Sequence, residues 1–224
     1  MEYPHIFPWT TDDSLFTFLL PFFVEQNIRF RGVLHIGAHE CEERKDYNDV
    51  GIPDEKIIWI EGNKELCEKN KQKGIPNVYH ALIADCEKNV SFHITNNFQS
   101  SSIYPLHTHK LHYPGIQEVS TVEGRTMSLP TFFKKHDLNP SAYNLWALDI
   151  QGAEYDALKG AESLLEHVDC ILTEINFEKM YDGIQLADTL IPYLKSKGFT
   201  MTHLKLWKNS WGDALFVKEK FLKT

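Results

Sequence analysis

The sequence contains few cysteines and no closely spaced pair of them. Among 224 residues the only cysteines are Cys41, Cys67, Cys86 and Cys170, and none belongs to a CxxC motif. Zinc-ribbon and thioredoxin-like sites need such a pair, and disulfide-stapled secreted domains carry more cysteines in a shorter chain. We therefore expect scattered reduced thiols and a cytoplasmic protein.

Positive charge and long apolar segments are also scarce. The 23 Lys and Arg residues are outnumbered by 31 Asp and Glu residues, which leaves a net charge of -8 and disfavours a nucleic-acid partner. The most apolar run, 15–24, has about half the length of a membrane span and contains Pro21. The N-terminus lacks the basic region of a signal peptide, so we expect a soluble chain without a membrane span.

Short apolar segments alternate with helix-prone segments along the chain. Buried strands are predicted over 33–36, 57–60, 145–150 and 170–176, a further strand ends near Asp85, and helices are predicted between them. FTMTHLKLW and DALFVK predict a terminal antiparallel hairpin. This order indicates an α/β fold, a single doubly wound, Rossmann-like parallel sheet covered on both faces.

Two segments depart from this alternation. Residues 1–30 predict an N-terminal helical segment that packs on the domain formed by 31–224, with a cap near Thr11 and a kink or division at Pro21. NVSFHIT predicts an antiparallel edge strand or ribbon, and 96–126 is a long irregular stretch. Long loops in compact domains are usually functional or mobile, so we expect a lid or substrate loop there.

The residues that follow each predicted strand are the first candidates for a site, because ligands of open parallel sheets bind at the carboxyl ends of the strands. The first loop, HIGAHECEE, has one glycine and three glutamates, which would repel a pyrophosphate. Glu61 is placed to accept hydrogen bonds from ribose hydroxyls. A nucleoside ligand without phosphates, such as S-adenosylmethionine, satisfies both observations; alternatively Gly37 is only a tight turn and Glu61 a helix-start carboxylate.

Five segments resemble, in order and spacing, the FkbM family of S-adenosylmethionine-dependent O-methyltransferases: VLHIGAHECEE, IIWIEGN, NVYHALIAD, LDIQGAEYDALKGAESLL and CILTEIN. The resemblance covers about 32–218, and its most specific part is DIQGAEYDALKGAE at 149–162. It implies a class I methyltransferase fold of seven strands with the last antiparallel.

The resemblance also implies a binding site for the cofactor. It assigns the first loop to the methionine end, Glu61 to the ribose, and Ala84 with Asp85 to the adenine. The family usually has Asp at position 35 and Gly at position 41, so here the contact to the cofactor's amino group passes to Glu40 or Glu42. The residues assigned to the cofactor are His35, Gly37, Ala38, His39, Glu40, Glu42, Glu61, Ala84, Asp85, Ser101 and Asp149.

Methyl transfer to a hydroxyl also requires removal of a proton. The candidate catalytic residues are Asp149, Glu154 and Glu174, with Asp149 as the first choice for the base; alternatively Glu154 only interacts with the dipole of the helix that it opens. By analogy with related O-methyltransferases, Asp149, Glu174 and Asn176 are also candidate ligands of Mg²⁺, which prefers oxygen ligands.

Aromatic and histidine residues supply candidates for acceptor binding. Tyr104, His107 and His109 lie in the long loop, and Trp207 and Trp211 flank the turn of the hairpin. Indole rings offer an apolar face to a sugar, although both tryptophans could instead cap the core.

The sequence therefore predicts an S-adenosylmethionine-dependent O-methyltransferase that acts on a small-molecule or glycan hydroxyl, most plausibly that of a sugar. A non-catalytic nucleoside-binding domain is the alternative, because His35 and Cys41 alter the first motif. A nicotinamide-dependent oxidoreductase is disfavoured by the acidic first loop and its single glycine.

Overall fold

The computed structural model describes residues 15–222. The α-helices in this part of the chain are α1 (Leu15–Glu25), α2 (Arg44–Asp49), α3 (Lys64–Gln72), α4 (His109–His112), α5 (Leu129–Lys135), α6 (Glu154–Gly160) and α7 (Ala187–Ser196). The strands are β1 (Val33–Ile36), β2 (Ile57–Glu61), β3 (Val78–His80), β4 (Leu82–Ile83), β5 (Asn89–Thr95), β6 (Glu118–Met127), β7 (Leu145–Leu148), β8 (Cys170–Asn176), β9 (Phe199–Trp207) and β10 (Trp211–Lys218).

The main sheet has seven strands in the order β3-β2-β1-β7-β8-β10-β9. The first five run parallel to one another, whereas β10 is antiparallel to both β8 and β9. The predicted α/β fold, a doubly wound sheet with a terminal antiparallel hairpin, is confirmed. The chain order reverses direction at β1, so the site is expected at the carboxyl ends of β1 and β7.

Helices cover both faces of this sheet and make two cores. Phe132 of α5, Leu158 of α6 and Leu194 of α7 belong to the core on one face. The core on the other face includes Phe23 of α1 and Tyr47 of α2. Because the central strands are buried on both faces, β1 and β7 are apolar at nearly every position, as parallel strands in such sheets usually are.

The N-terminal helix is one continuous element, so of the kink or division expected at Pro21 the division is excluded. α1 continues through Pro21 without dividing, and it buries Leu19 and Phe23 against the sheet. The predicted cap near Thr11 lies outside the described residues.

A second, three-stranded sheet with the order β4-β6-β5 stands beside the main one. The stretch 96–126 was expected to be irregular to its end, yet β6 pairs in antiparallel fashion with β5 over most of its length. β6 is largely exposed and has no regular apolar alternation, so its pairing partner specifies it rather than its own pattern. The strand predicted to end near Asp85 is divided, with β3 in the main sheet and β4 in the small one.

No helix within 15–222 combines the length and the apolar character that crossing a bilayer requires.

Candidate active site

A cavity of about 500 Å³ opens at the carboxyl ends of β1, β2, β7 and β8, between the main sheet and the segment that contains α4. Gly37 follows β1 with a φ of +91°, and a Cβ built there would lie 1.7 Å from the carbonyl oxygen of Asp149. Only glycine allows the loops after β1 and β7 to approach so closely. The carboxylates that line the cavity are Glu42, Glu43, Glu61, Asp149, Glu174 and Asp213.

Glu61, at the end of β2, is 7% exposed and lines the cavity. Its carboxylate accepts hydrogen bonds from the backbone N–H of His39 at 2.7 Å and of Asn63 at 2.6 Å. Burial raises the pKa of Glu61 to about 7. These bonds fix the side chain in one orientation, with its oxygens available to a hydroxyl-bearing ligand.

The first loop contributes Gly37, Ala38, His39 and Glu42 to the cavity. His39 Nδ1 lies 2.5 Å from Oε1 of Glu42, and this hydrogen bond raises the pKa of His39. Cys41, where the FkbM pattern usually has glycine, adopts a φ of +59° and is buried. The left-handed conformation that favours glycine is therefore retained with a cysteine in place.

Two first-motif residues that were assigned to the cofactor do not line the cavity. His35 points into the core that contains Tyr47 and not into the cavity. Its Nδ1 lies 2.9 Å from the hydroxyl of Tyr47, and its ring packs on Trp59. Burial lowers the pKa of His35 to about 4, so the ring is neutral near pH 7. Glu40 instead forms ion pairs with Lys69 and Lys73 of the segment around α3.

The residues assigned to the adenine are also displaced from the cavity. Ala84 is fully buried and Asp85 pairs with Lys88. Gly160, at the end of α6, packs directly on their backbone, since a Cβ there would lie 2.6 Å from Cα of Asp85. Apolar residues just before and beyond them line the cavity in their place: Leu82, Ile83 and Phe92.

The side chain of Gln151 connects the two central carboxylates. Its Nε2 donates to Oδ1 of Asp149 at 2.5 Å and to Oε2 of Glu174 at 2.9 Å, and its Oε1 accepts the hydroxyl of Tyr181. The Asp149 carboxylate faces the cavity, but surrounding protein displaces bulk water and raises its pKa to about 7. Burial and the nearby charge of Asp149 raise the pKa of Glu174 well above its usual value.

The candidate Mg²⁺ ligands are engaged in this amide network. Glu174 Oε1 accepts a 3.0 Å hydrogen bond from Nδ2 of Asn176, and Gln151 occupies an oxygen of each carboxylate. The Asn176 Oδ1, the atom of that side chain that could bind a cation, is buried without a hydrogen-bond partner among the described residues. Within 15–222, no group of three or more His, Cys, Asp or Glu side chains is arranged to hold a metal. The expected Mg²⁺ site therefore has no support in the part of the chain that the structure describes.

Glu154, the third catalytic candidate, does not line the cavity. Its carboxylate accepts hydrogen bonds from the backbone N–H groups of Ile150 and Gly152 at 2.9 Å. These hydrogen bonds hold the turn that carries Gln151, which is what the alternative role of Glu154 at the start of α6 predicts.

The acceptor candidates separate into two groups. Trp207 and Trp211 line the cavity as a stacked pair, with ring centroids 5.5 Å apart. His109 also lines it and is 5% exposed. Tyr104 and His107 do not, because the Tyr104 hydroxyl donates to Asp156 and His107 Nδ1 lies 3.0 Å from the carbonyl oxygen of Lys179.

Ser101 lines the cavity, but its hydroxyl also accepts a hydrogen bond from the backbone N–H of Thr95 at 3.1 Å. This hydrogen bond ties the loop that follows β5 back to the end of that strand.

Several polar lining residues were absent from the candidates drawn from sequence, among them Asp213, Gln151, Glu43 and Tyr181. Asp213 lies directly across from Glu174 in the pairing of β10 with β8. The register of the predicted hairpin could have located it, because DALFVK begins with this aspartate. Gln151 and Glu43 lie within the quoted motifs, whereas Tyr181 carries no sequence signal.

Comparisons with known proteins found a matching family model and a similar solved structure. The model of the methyltransferase FkbM domain matches residues 35–201 of the 224. An S-adenosylmethionine-dependent methyltransferase from Clostridium acetobutylicum ATCC 824 is similar over 92% of this chain and 93% of its own, with 10% identity and a TM-score of 0.43. None of the curated proteins compared matches the chain. Since the family model spans well over half of its length, the chain belongs to the FkbM family of methyltransferases.

Proposed function

We propose that this protein is an O-methyltransferase that transfers a methyl group from S-adenosylmethionine to a hydroxyl of a small molecule or glycan, with a sugar hydroxyl as the favoured acceptor. The observation that carries the proposal is the joint presence of Glu61 and Asp149 in one cavity, at the ends of the strands that flank β1. One carboxylate is fixed for hydroxyl binding, and the other has a pKa suited to proton transfer.

The chemistry of the lining fits the cofactor. The cavity is lined by carboxylates, and no Lys or Arg is among the described residues that line it. Such a lining suits a ligand with a positive sulfonium and no phosphate. Glu61 would hold the ribose, the loop of Ala38 and His39 the methionine end, and Leu82 and Phe92 the adenine. When bound, S-adenosylmethionine supplies a methyl group on a positively charged sulfur.

The residues of the chain would supply position and proton acceptance. Alignment of reacting groups is worth roughly 7–11 kcal/mol, and a positioned base contributes about 10²–10⁴-fold in rate. Gln151 orients the Asp149 carboxylate by donating to its Oδ1. The acceptor's hydroxyl proton would pass to Asp149 as the new C–O bond forms. Glu174 accepts a hydrogen bond from the same Gln151 amide and would help to hold that amide in place.

The stacked pair of Trp207 and Trp211 supports a sugar acceptor. Both indoles line the cavity, and a sugar ring places its apolar C–H face on aromatic rings while its hydroxyls turn to polar groups. We also propose a reducing, cytoplasmic location, which the four free thiols support.

A non-catalytic binding domain is the second candidate. It is favoured by one observation, the neutral His35 that packs against Tyr47 where the family has a charged Asp. In this alternative the cavity binds the nucleoside without turnover.

Thermal unfolding with ligands is the first test. We expect S-adenosylmethionine and S-adenosylhomocysteine to raise the unfolding midpoint, with about 2.7 kcal/mol of stabilisation at 100 times the dissociation constant, and NAD to leave it unchanged. Mg²⁺ should not alter the response. Transfer of a labelled methyl group to a panel of sugars then separates the enzyme from the binding domain. A shift with NAD alone would contradict both readings.

A further inference from the structure

Tyr181 lies in the wall of the cavity and contacts the amide that orients the proposed base. Its side chain is 1% exposed, and its hydroxyl donates to Oε1 of Gln151. Burial raises the pKa of the Tyr181 phenol well above its usual value, so the hydroxyl keeps its proton and remains a hydrogen-bond donor. Tyr181 is therefore placed to act on the side chain of Gln151.

The position of Tyr181 is fixed by the backbone on either side of it. Before it, the carbonyl oxygen of Met180 accepts a hydrogen bond from the N–H of His107 at 2.8 Å. After it, the N–H of Asp182 donates to the carbonyl oxygen of Pro105, also at 2.8 Å. The ring itself belongs to a small apolar core. The hydroxyl is therefore held at one place in the wall.

The backbone of Gln151 brings its amide to that place. Gln151 has a φ of +54°, a left-handed conformation that residues with a side chain rarely adopt and that is found most often at functional sites. Its carbonyl oxygen accepts the hydroxyl of Ser102 at 2.7 Å. The last torsion of a glutamine side chain is nevertheless broad and roughly two-fold. The backbone thus places the amide without deciding which of its two polar atoms faces the carboxylates.

The two polar atoms of the amide are not equivalent toward Asp149 and Glu174. Nε2 carries two N–H groups, and it donates to Asp149 at 2.5 Å and to Glu174 at 2.9 Å. With the amide reversed, Oε1 would face the charged form of Asp149, and two acceptors repel each other. The Tyr181 hydroxyl favours the observed orientation from the other end, because a donor pairs with Oε1 and not with an N–H.

We propose that Tyr181 is a positioning residue for methyl transfer, whose hydroxyl holds the Gln151 amide in the orientation that keeps an N–H donor on the Asp149 carboxylate. Without the hydroxyl, Oε1 loses this hydrogen bond and the observed orientation is less strongly favoured. The inference rests on the proposed function, since it assigns a further residue to the same reaction.

A purely structural role is the alternative to be separated from this one. The carbonyl oxygen of Ser100 lies 3.3 Å from the Tyr181 hydroxyl, so the hydroxyl could merely anchor the loop that follows β5. Tyr181→Phe removes the hydroxyl and keeps the ring. Tyr193→Phe is the matched control, because the Tyr193 hydroxyl donates to the carbonyl oxygen of Leu158 at 3.2 Å, away from the residues that line the cavity.

The first readout is hydrogen exchange of the Gln151 side-chain amide, measured by nuclear magnetic resonance and assigned by its absence from Gln151→Ala. In the unmodified protein we expect this amide to exchange at least about tenfold more slowly than that of Gln72, which is exposed. Tyr181→Phe should speed the exchange about 3- to 10-fold, and Tyr193→Phe should leave it unchanged. The comparison with Gln72 needs no variant at position 181, so it serves if Tyr181→Phe does not fold.

The second readout is single-turnover methyl transfer to the acceptor that the sugar panel identifies. Tyr181→Phe should lower the rate about 3- to 10-fold, while the dissociation constant of S-adenosylhomocysteine stays within about threefold. In the Gln151→Ala background the same substitution should add less than about twofold, because the effects of residues that act through one another are not additive. Tyr193→Phe should change neither quantity.

Several results would overturn the inference. They are exchange of the Gln151 amide as fast as that of Gln72, exchange that Tyr181→Phe leaves unchanged, an undiminished effect on rate in the Gln151→Ala background, and a loss of S-adenosylhomocysteine affinity as large as the loss of rate. If no sugar accepts a methyl group, the exchange data alone decide. Failure of the unmodified protein to bind S-adenosylhomocysteine would reject the proposed function instead, and the exchange data would still show whether Tyr181 holds Gln151.

Discussion

Gly37 and Asp149 meet backbone to backbone at the floor of the cavity, where a Cβ at position 37 would lie 1.7 Å from the carbonyl oxygen of Asp149. Gly37 also has a φ of +91°, a conformation that side chains rarely adopt. The contact joins the loop after β1, assigned to the cofactor, with the loop after β7, which carries the proposed base. The distance between the two halves of the site is thus set by a residue without a side chain.

Gly37→Ala should therefore lower the free energy of unfolding by about 2–5 kcal/mol, from strain and overpacking together, and weaken S-adenosylhomocysteine binding. Gly74→Ala is the matched control, because Gly74 has a φ of +76° but nothing within 4 Å of a built Cβ. It should cost roughly 1–2 kcal/mol and leave binding unchanged. Urea denaturation and calorimetry measure the two quantities, and equal effects of the two substitutions would contradict the packing argument.

Substitutions at Glu61 and Asp149 should affect different quantities, the affinity for the cofactor at Glu61 and the rate of methyl transfer at Asp149. Glu61→Gln removes a charged hydrogen-bond acceptor, worth about 1.5–3 kcal/mol, and should weaken S-adenosylhomocysteine binding roughly 10- to 100-fold. Asp149→Asn should keep affinity within about threefold but lower turnover about 10²–10⁴-fold. Calorimetry and single-turnover transfer of labelled methyl report the two effects. Equal loss of affinity in both variants would reject the division of roles.

The rate of methyl transfer should depend on pH through Asp149. Desolvation by the protein around the cavity raises the pKa of Asp149 to about 7, and a base accepts a proton only when it is deprotonated. The rate should therefore fall below about pH 7 and level off above it. This inflection should disappear from the residual activity of Asp149→Asn. A rate that is flat from pH 5 to pH 9 would exclude Asp149 as the base.

His35 should affect stability and not the cofactor. Its ring packs between Tyr47 and Trp59, which belong to the core on the face of the sheet covered by α1 and α2. His35→Ala should therefore lower the free energy of unfolding by about 2–4 kcal/mol through the cavity that it leaves. S-adenosylhomocysteine affinity should remain within about twofold. A loss of affinity as large as that of Glu61→Gln would restore His35 to the cofactor site.

The order of the buried strands and helices could be predicted from local sequence patterns. Strands such as VLHI and LWAL are buried on both faces, so they appear as continuous apolar runs between helix-prone segments. β6 was missed because it is exposed and is specified by its pairing with β5 and, at its end, with β4. Its conformation depends on a partner strand that lies far away along the chain, and no local pattern records such a partner.

The candidate site, like the fold, was predicted from the sequence only in part. Residues directly after strands, such as Glu61 and Asp149, could be named from sequence because chain direction alone places them at the ligand-binding edge. The side-chain direction of His35, the close packing of Gly160 on the backbone of Asp85, and the pairing of β10 with β8 that sets Asp213 across from Glu174 could not. Local composition and periodicity specify which segments form strands and helices, because each follows from burial and backbone preference along the chain. The cavity and its acidic lining arise only when distant strands are brought into register, because their contacts join residues that the sequence separates widely.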